Sequence, residues 1–272
     1  MECKLNDLSI NYEIIGEGKP ILMIHGYGLD HRVMKGCMEP IFSNRKGFKR
    51  IYMDLPGMGK STSLEWIKNS DQVLEVILQF IHKIIGKESF LMVGQSYGGY
   101  LARGVINKNI EAVGGACLIC PVIIADNEKR NLPEHIVVVK DEQLIKTLNE
   151  KELENLNSLV VQTKETWRRL NEDLIPAFEL SNWDFLSPIR EEGYEFTFDV
   201  DLLPRKFDKP AILLLGRQDD VVGYKDAWNI LDNYTRCSFF ALDKADHNLQ
   251  IVQEKLFNNC VEEWLNRVEE SK

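Results

Sequence analysis

Ser96 sits in Gly94-Gln95-Ser96-Tyr97-Gly98-Gly99, a G-x-S-x-G arrangement behind the apolar run Ser89-Phe90-Leu91-Met92-Val93. This order describes a serine on a sharp strand-to-helix turn, its hydroxyl raised out of a sheet. Glycine suits the flanks because such a turn crowds the neighbouring backbone and leaves no room for a side chain. A serine hydroxyl is a weak nucleophile at neutral pH and needs a base beside it. Among the five histidines, His25, His31, His82, His135 and His247, the base expected from position is His247. It lies in Leu242-Asp243-Lys244-Ala245-Asp246-His247-Asn248-Leu249, between the last strand-like and the last helix-like stretch. Ligand sites of open α/β sheets form in loops at the carboxyl ends of the strands.

The acid that would orient this histidine comes between serine and histidine in chain order. Gly216-Arg217-Gln218-Asp219-Asp220-Val221-Val222 offers two carboxylates directly after an apolar run. Asp219, nearer the strand end, is the expected partner; Asp220 is its rival and Asp126 a more remote alternative. Such an acid fixes the imidazole tautomer and stabilises the imidazolium. Acyl transfer also needs donors aimed at a developing oxyanion. The backbone N–H of Tyr97 follows the nucleophile, and His25-Gly26-Tyr27-Gly28 supplies a second donor, expected at Tyr27. His25 could be taken for a base, but its place in this loop fits a structural histidine better; His25 and Gly26 stand as candidate substrate contacts.

Positioning these groups requires strands and helices in alternation, and the chain reads that way. Cys3 to Ile15 looks like a starting hairpin, and Ile21-Leu22-Met23-Ile24 a buried strand ending at His25. Arg50 to Asp54 is the next strand, followed by the loop to Ser61 and a helix carrying Val73, Ile77, Phe80, Ile81 and Ile84 on one face. After the Ser96 turn and a helix from Tyr97 to Lys108 comes a strand from Ala112 to Ile119. Alternation resumes with Ala211 to Leu215, a helix around Tyr224 to Tyr234, a strand from Cys237 to Leu242 and a closing helix. Between them, 122–204 is polar and helix-prone with no convincing sheet strand. A stretch of roughly eighty residues is too long for a plain connection and reads as a helical cap inserted into a core formed by 1–121 and 205–272.

Composition narrows the field. The 272 residues, 44% hydrophobic and 28% charged, suit one soluble α/β domain with an insertion. A net charge of −9 argues against a nucleic-acid partner, which calls for a basic stripe. No basic start with an apolar stretch marks a signal peptide, and no run reaches the roughly 18 apolar residues of a membrane span. A cytoplasmic location is the expectation, with no membrane partner. Cys117-Leu118-Ile119-Cys120 has redox or zinc spacing, but it lies inside a strand with no second pair, so buried thiols are expected. Gly59-Lys60-Ser61 lacks the full phosphate-loop spacing and reads as a turn. No cofactor and no metal are expected, and nothing separates an interface stripe from core, so the oligomeric state stays open.

Taken together, His25 to Gly28, Asp54 to Ser61, the Ser96 turn, Gly216 to Asp219 and Ala245 to Asn248 resemble the α/β-hydrolase superfamily over nearly the whole chain. The likeness is greatest to its capped serine hydrolases: carboxylesterases, meta-cleavage-type carbon–carbon hydrolases and haloperoxidase-like esterases. It implies a mostly parallel sheet with helices on both faces, a Ser96–His247–Asp219 triad, and hydrolysis of an ester or similar small carbonyl substrate through an acyl-enzyme. Carbon–carbon cleavage, acyl transfer or a non-catalytic receptor on the same fold remain open. Serine at the turn sets the chain apart from dehalogenases and epoxide hydrolases, which carry aspartate there. The residue before the family's histidine is commonly glycine; here it is Asp246, whose charge would favour a protonated His247. Trp167, Phe178, Trp183 and Phe185 in the insertion suggest either an apolar substrate site, with Trp167, Phe178 and Trp183 as contacts, or the cap's own packing.

Overall fold

A computed structural model describes residues 1–271. The described residues form ten strands: β1 (Glu2–Leu5), β2 (Leu8–Ile15), β3 (Lys19–Ile24), β4 (Phe48–Met53), β5 (Phe90–Gln95), β6 (Val113–Ile119), β7 (Val139–Lys140), β8 (Val161–Gln162), β9 (Ala211–Gly216) and β10 (Cys237–Leu242). Eight of them form one sheet in the order β1-β2-β4-β3-β5-β6-β9-β10, antiparallel at its β1 and β2 edge and parallel from β4 to β10. Every residue of β5 and β9 is buried. That is why these strands read as continuous apolar runs rather than alternating ones.

The described residues form ten α-helices, α1 (His31–Phe42), α2 (Ser70–Ile84), α3 (Tyr97–Asn109), α4 (Glu142–Ile145), α5 (Glu150–Asn157), α6 (Lys164–Arg169), α7 (Ile175–Glu179), α8 (Trp183–Glu192), α9 (Leu249–Val252) and α10 (Glu254–Glu270). α1 and α10 pack together against the sheet, as do α2 and α3. In α2 the side chain of Asn69 caps the first turn by accepting from the Gln72 N–H, and Val73, Leu74, Ile77, Phe80 and Ile81 form its buried stripe. α10 buries Phe257, Val261, Trp264, Leu265 and Val268 at helical spacing, and the Trp264 indole N–H donates to the Pro210 carbonyl at 3.0 Å.

The chain runs from β3 to β4 on one side and returns to β5 on the other side of β3. The loops that leave β3 and β5 therefore diverge, opening a crevice at the carboxyl ends of the two strands. Residues between β6 and β9 add no strand to this sheet. They carry α4 to α8 and a two-residue parallel pairing, β7 with β8, that the sequence pattern did not signal. α6 and α7 are joined by a wide π-type turn at Leu170–Leu174. This insert has an apolar cluster of its own, with Leu144, Leu156, Leu159, Leu170, Leu174 and Ala177 joined by Val33 and Ile251. Its last part, including Leu186, Ile189, Tyr194 and Phe196, packs into the main core.

The stretch after β9 also differs from the sequence expectation. The helix expected around Tyr224 to Tyr234 is a 3-10 helix over Asp226–Asn233. Ala227 and Ile230, its inward hydrophobic residues, are three apart, a spacing that three residues per turn places on one edge. Trp264 joins α10 to the sheet by both packing and a hydrogen bond. Trp264→Ala is expected to destabilise the fold by about 3–5 kcal/mol, seen as a lower urea midpoint at unchanged slope.

Candidate active site

β5 ends where the chain turns abruptly into α3, and Ser96 occupies the corner with φ 55° and ψ −117°. A non-glycine residue rarely adopts this backbone region. The corner needs close backbone approach on both sides. A β-carbon on Gly94 would lie 2.3 Å from the Gly98 carbonyl oxygen, and one on Gly98 would lie 2.3 Å from that of Ile24. Glycine at both positions lets α3 press onto β3 and β5.

The loop after β10 brings His247 to this corner. Its Nε2 lies 2.8 Å from Ser96 Oγ and its Nδ1 lies 2.9 Å from Asp219 Oδ2. Asp219, fully buried after β9, also accepts the N–H groups of Val221 and Val222 through Oδ1, at 3.0 and 2.9 Å. The carboxylate thus both caps its own loop and faces the imidazole. Asp220 points elsewhere and meets His135 Nδ1 at 2.8 Å, while Asp126 accepts the Glu128 N–H at the start of a short 3-10 turn. Only 8% of Ser96 is exposed, and 15% of the His247 side chain.

Burial drives the Asp219 carboxyl up, but the charge and hydrogen bond of His247 and the two backbone donors outweigh it and leave its pKa below the ordinary value. Burial pushes the imidazole of His247 down. Asp219, by charge and hydrogen bond, and Asp246 by charge push it back further, to above its ordinary value near 6.5. Asp246 itself is buried, its pKa pushed up to about 6 chiefly by loss of solvent. Its two oxygens accept the N–H groups of Asn248 and of Val160 in the insert, both at 2.7 Å. This tie between the insert and the His247 loop had no signature in the sequence beyond an unusual carboxylate.

The loop after β3 passes beside the corner. A β-carbon on Gly26 would lie 3.2 Å from the β-carbon of Ser96. The Tyr27 ring meets Tyr97 edge-on at 5.0 Å, and its hydroxyl donates to the Leu186 carbonyl. His25, a candidate substrate contact, is held by neighbouring backbone groups. It is fully buried, with Nδ1 against the Gly26 carbonyl at 2.7 Å and Nε2 accepting the Leu55 N–H at 3.0 Å. No ring nitrogen is left for a ligand. Trp167, another candidate contact, is half-buried and packs against the insert's own cluster. Trp183 lies directly on Gly28 and contacts Phe178 with ring centroids 4.4 Å apart. These two aromatics, with Leu29, Leu174 and Ile175, line an apolar cleft of about 480 Å³ bordered by Lys151, Asn155 and Glu179.

Two groups of three His, Cys or Asp side chains among the described residues have metal-like proximity. Cys120 joins Asp219 and His247, and burial and the neighbouring Asp219 hold its thiol pKa well above the ordinary value. Asp30, His31 and Asp54 form the other. Asp54 is committed to the N–H groups of His31 and Lys60, the His31 ring and the Asn11 amide. Ser61 closes this turn by donating to the Asp54 carbonyl, which makes the Gly59-Lys60-Ser61 loop structural. The six cysteines are free. No helix among the described residues is long and apolar enough to cross a membrane.

The model of the alpha/beta hydrolase fold family matches residues 19–254. The chain belongs to the α/β-hydrolase family and is an enzyme of that family. The crystal structure of an alpha/beta superfamily hydrolase from Oenococcus oeni PSU-1 superposes with a TM-score of 0.88 at 31% identity, over 96% of each chain. A pimeloyl-[acyl-carrier protein] methyl ester esterase of Legionella pneumophila is 23% identical over 95% of this chain and all of its own. A 2-hydroxy-6-oxo-6-(2'-aminophenyl)hexa-2,4-dienoic acid hydrolase of Metapseudomonas resinovorans is 22% identical over 93% of this chain and 86% of its own.

The electrostatics of the site are open to a direct check. In Asp219→Asn the His247 imidazole loses its strongest acidic neighbour, so its pKa, read from ring-proton NMR shifts, is expected to fall. In Asp220→Asn, which leaves the Asp219 contact in place, it is expected to stay.

Proposed function

We propose that this enzyme hydrolyses a carboxylic ester of a small-molecule substrate through an acyl-enzyme formed on Ser96. The observation that carries the reading is the hydrogen-bonded chain Ser96 Oγ to His247 Nε2 and His247 Nδ1 to Asp219 Oδ2, set on a strained turn at the sheet's switch point. His247 takes the hydroxyl proton as Ser96 Oγ bonds to the carbonyl carbon. The buried Asp219 carboxylate stabilises the imidazolium that forms. Oxyanion charge falls to the N–H of Tyr97, one of the first-turn N–H groups of α3 that have no partner within the helix, and to that of Tyr27. His247 then gives its proton to the departing alkoxide. A water deprotonated by the same imidazole adds to the acyl carbon, and the carboxylic acid leaves as Ser96 regains its proton.

The inserted helices act as a cap on this reading, with Phe178, Trp183 and the cleft they line giving an apolar approach beside the Tyr27 loop. The esterase names of several relatives support ester cleavage as the reaction.

Ser96→Ala is expected to lower kcat for p-nitrophenyl butyrate by roughly 10⁴-fold or more, and Asp219→Asn by roughly 10⁴-fold. Asp220→Asn is expected to stay within about threefold, because Asp220 lies off the hydrogen-bonded chain. Full turnover by Ser96→Ala would end the proposal. The proton balance gives a second test. Below the pKa of His247 the imidazole is already protonated and cannot accept a proton, so kcat/KM should rise with pH through a midpoint above 6.5. The Asp246 charge helps to raise that midpoint, so Asp246→Asn should move the acidic limb of the profile to lower pH.

A further inference from the structure

Most arginines of the described chain sit against carboxylates: Arg50 on Glu39, Arg103 on Asp201, Arg169 on Asp173. Arg130 and Arg190 do not; among the described residues neither has an ion-pair partner. Arg130 is 8% exposed, and its guanidinium donates to the carbonyl oxygens of Ile124, Ala125 and Val221, at 2.8 to 3.0 Å, with the uncharged Tyr194 hydroxyl also within its reach. Carbonyl oxygens satisfy hydrogen-bonding groups without cancelling a charge. A guanidinium taken out of water and left uncompensated is costly, and proteins ordinarily pair it. Arg190 donates to the Asn127 amide oxygen at 3.1 Å, and its guanidinium lies over the Tyr194 ring, 4.3 Å from the centroid.

The two cations converge beside the Ser96 centre. Val221, whose carbonyl Arg130 holds, gives its N–H to Asp219. Tyr194 stacks on Tyr97, the residue after Ser96, at 4.8 Å and meets the Tyr27 ring at 5.5 Å. Both guanidinium groups act on the Tyr194 hydroxyl. Arg130 also acts against protonation of His247, so an anion bound between the arginines would favour the imidazolium that acyl transfer requires.

We propose that Arg130 and Arg190, with the Tyr194 hydroxyl between them, form a subsite for a carboxylate carried by the substrate. The inference rests on the acyl-enzyme reading of Ser96 and deepens it to a substrate class: esters bearing a second, anionic group. A guanidinium fork suits a carboxylate by geometry as well as charge. Neutral esters leave both cations without a counter-charge. The anion can lie on either side of the ester bond, and the test separates the two.

The test compares mono-p-nitrophenyl adipate with p-nitrophenyl hexanoate, which places the anion on the acyl side. 4-Carboxyphenyl hexanoate is set against 4-carbamoylphenyl hexanoate for the alcohol side. Wild-type enzyme is expected to favour the charged member of at least one pair in kcat/KM. The charged-to-neutral ratio of that pair should fall roughly 10- to 100-fold in Arg190→Gln, mostly through KM, as befits lost hydrogen bonds to a charged group. It should invert in Arg190→Glu and recover partly in Arg190→Lys. Arg130 also ties three carbonyls of its loop, so the Arg190 variants carry the test. No preference in either pair, or a ratio that Arg190→Gln leaves unmoved, overturns the subsite. If no ester is turned over and a fluorophosphonate fails to label Ser96, the acyl-enzyme reading itself falls, a result distinct from hydrolysis without charge preference.

Discussion

A serine at φ 55° and ψ −117° is strained, a state worth of order 1–3 kcal/mol that persists only where the surroundings leave no alternative. Here the backbone of Ser96 is held from both sides. Its N–H donates to the Ile119 carbonyl at 2.9 Å, and its own carbonyl accepts from Gly99, Tyr100 and Val122 at 3.0 to 3.1 Å. Those partners belong to β6, to the first turn of α3 and to the chain just past β6. The corner is thus part of the sheet's own hydrogen bonding. A relaxed serine would have to break contacts that also join β5, β6 and α3. The fold requires the strain, and the strain lifts the hydroxyl to where His247 reaches it.

Around this corner, charge is handled by enclosure. Asp219 has no exposed surface, and its oxygens are shared between an imidazole and two backbone donors. Low solvent access strengthens each of these contacts, and the same desolvation makes any orphaned charge costly. Asp246 stands one residue from His247 under the same conditions, and Arg130 lies one hydrogen bond away from the Asp219 loop. The imidazole is therefore set between two carboxylates and a guanidinium, and its protonation reports their balance.

Much of the sheet was legible because its central strands are buried on both faces and bounded by turn residues, so β3, β5, β6 and β9 stand out as short apolar runs. Ser96, Asp219 and His247 were legible for a related reason: each follows directly on such a run or lies in a loop of fixed chain order. The choice of Asp219 over Asp220 rested on one residue of distance from the strand end, and the structure turns the two carboxylates to different histidines. Contacts made at long range were not legible. Arg130 sits in a polar stretch with no periodicity, and its carbonyl partners Val221 and Ile124 lie on separate loops. Trp167 and Trp183 look alike in sequence, yet one packs inside the insert and the other lies on Gly28. The 3-10 geometry of Asp226–Asn233 was hidden because Ala227 and Ile230 also satisfy a helical spacing.

The carboxylate of Asp246 grips the Val160 N–H with one oxygen and the Asn248 N–H with the other. Val160 in turn receives the N–H groups of Val138 and Val139 through its carbonyl. The insert and the loop that presents the imidazole thus share an anchor at this carboxylate. Breathing of the insert at this end is not independent of the geometry at Ser96: an excursion large enough to free Val160 also releases a restraint on the residue next to His247.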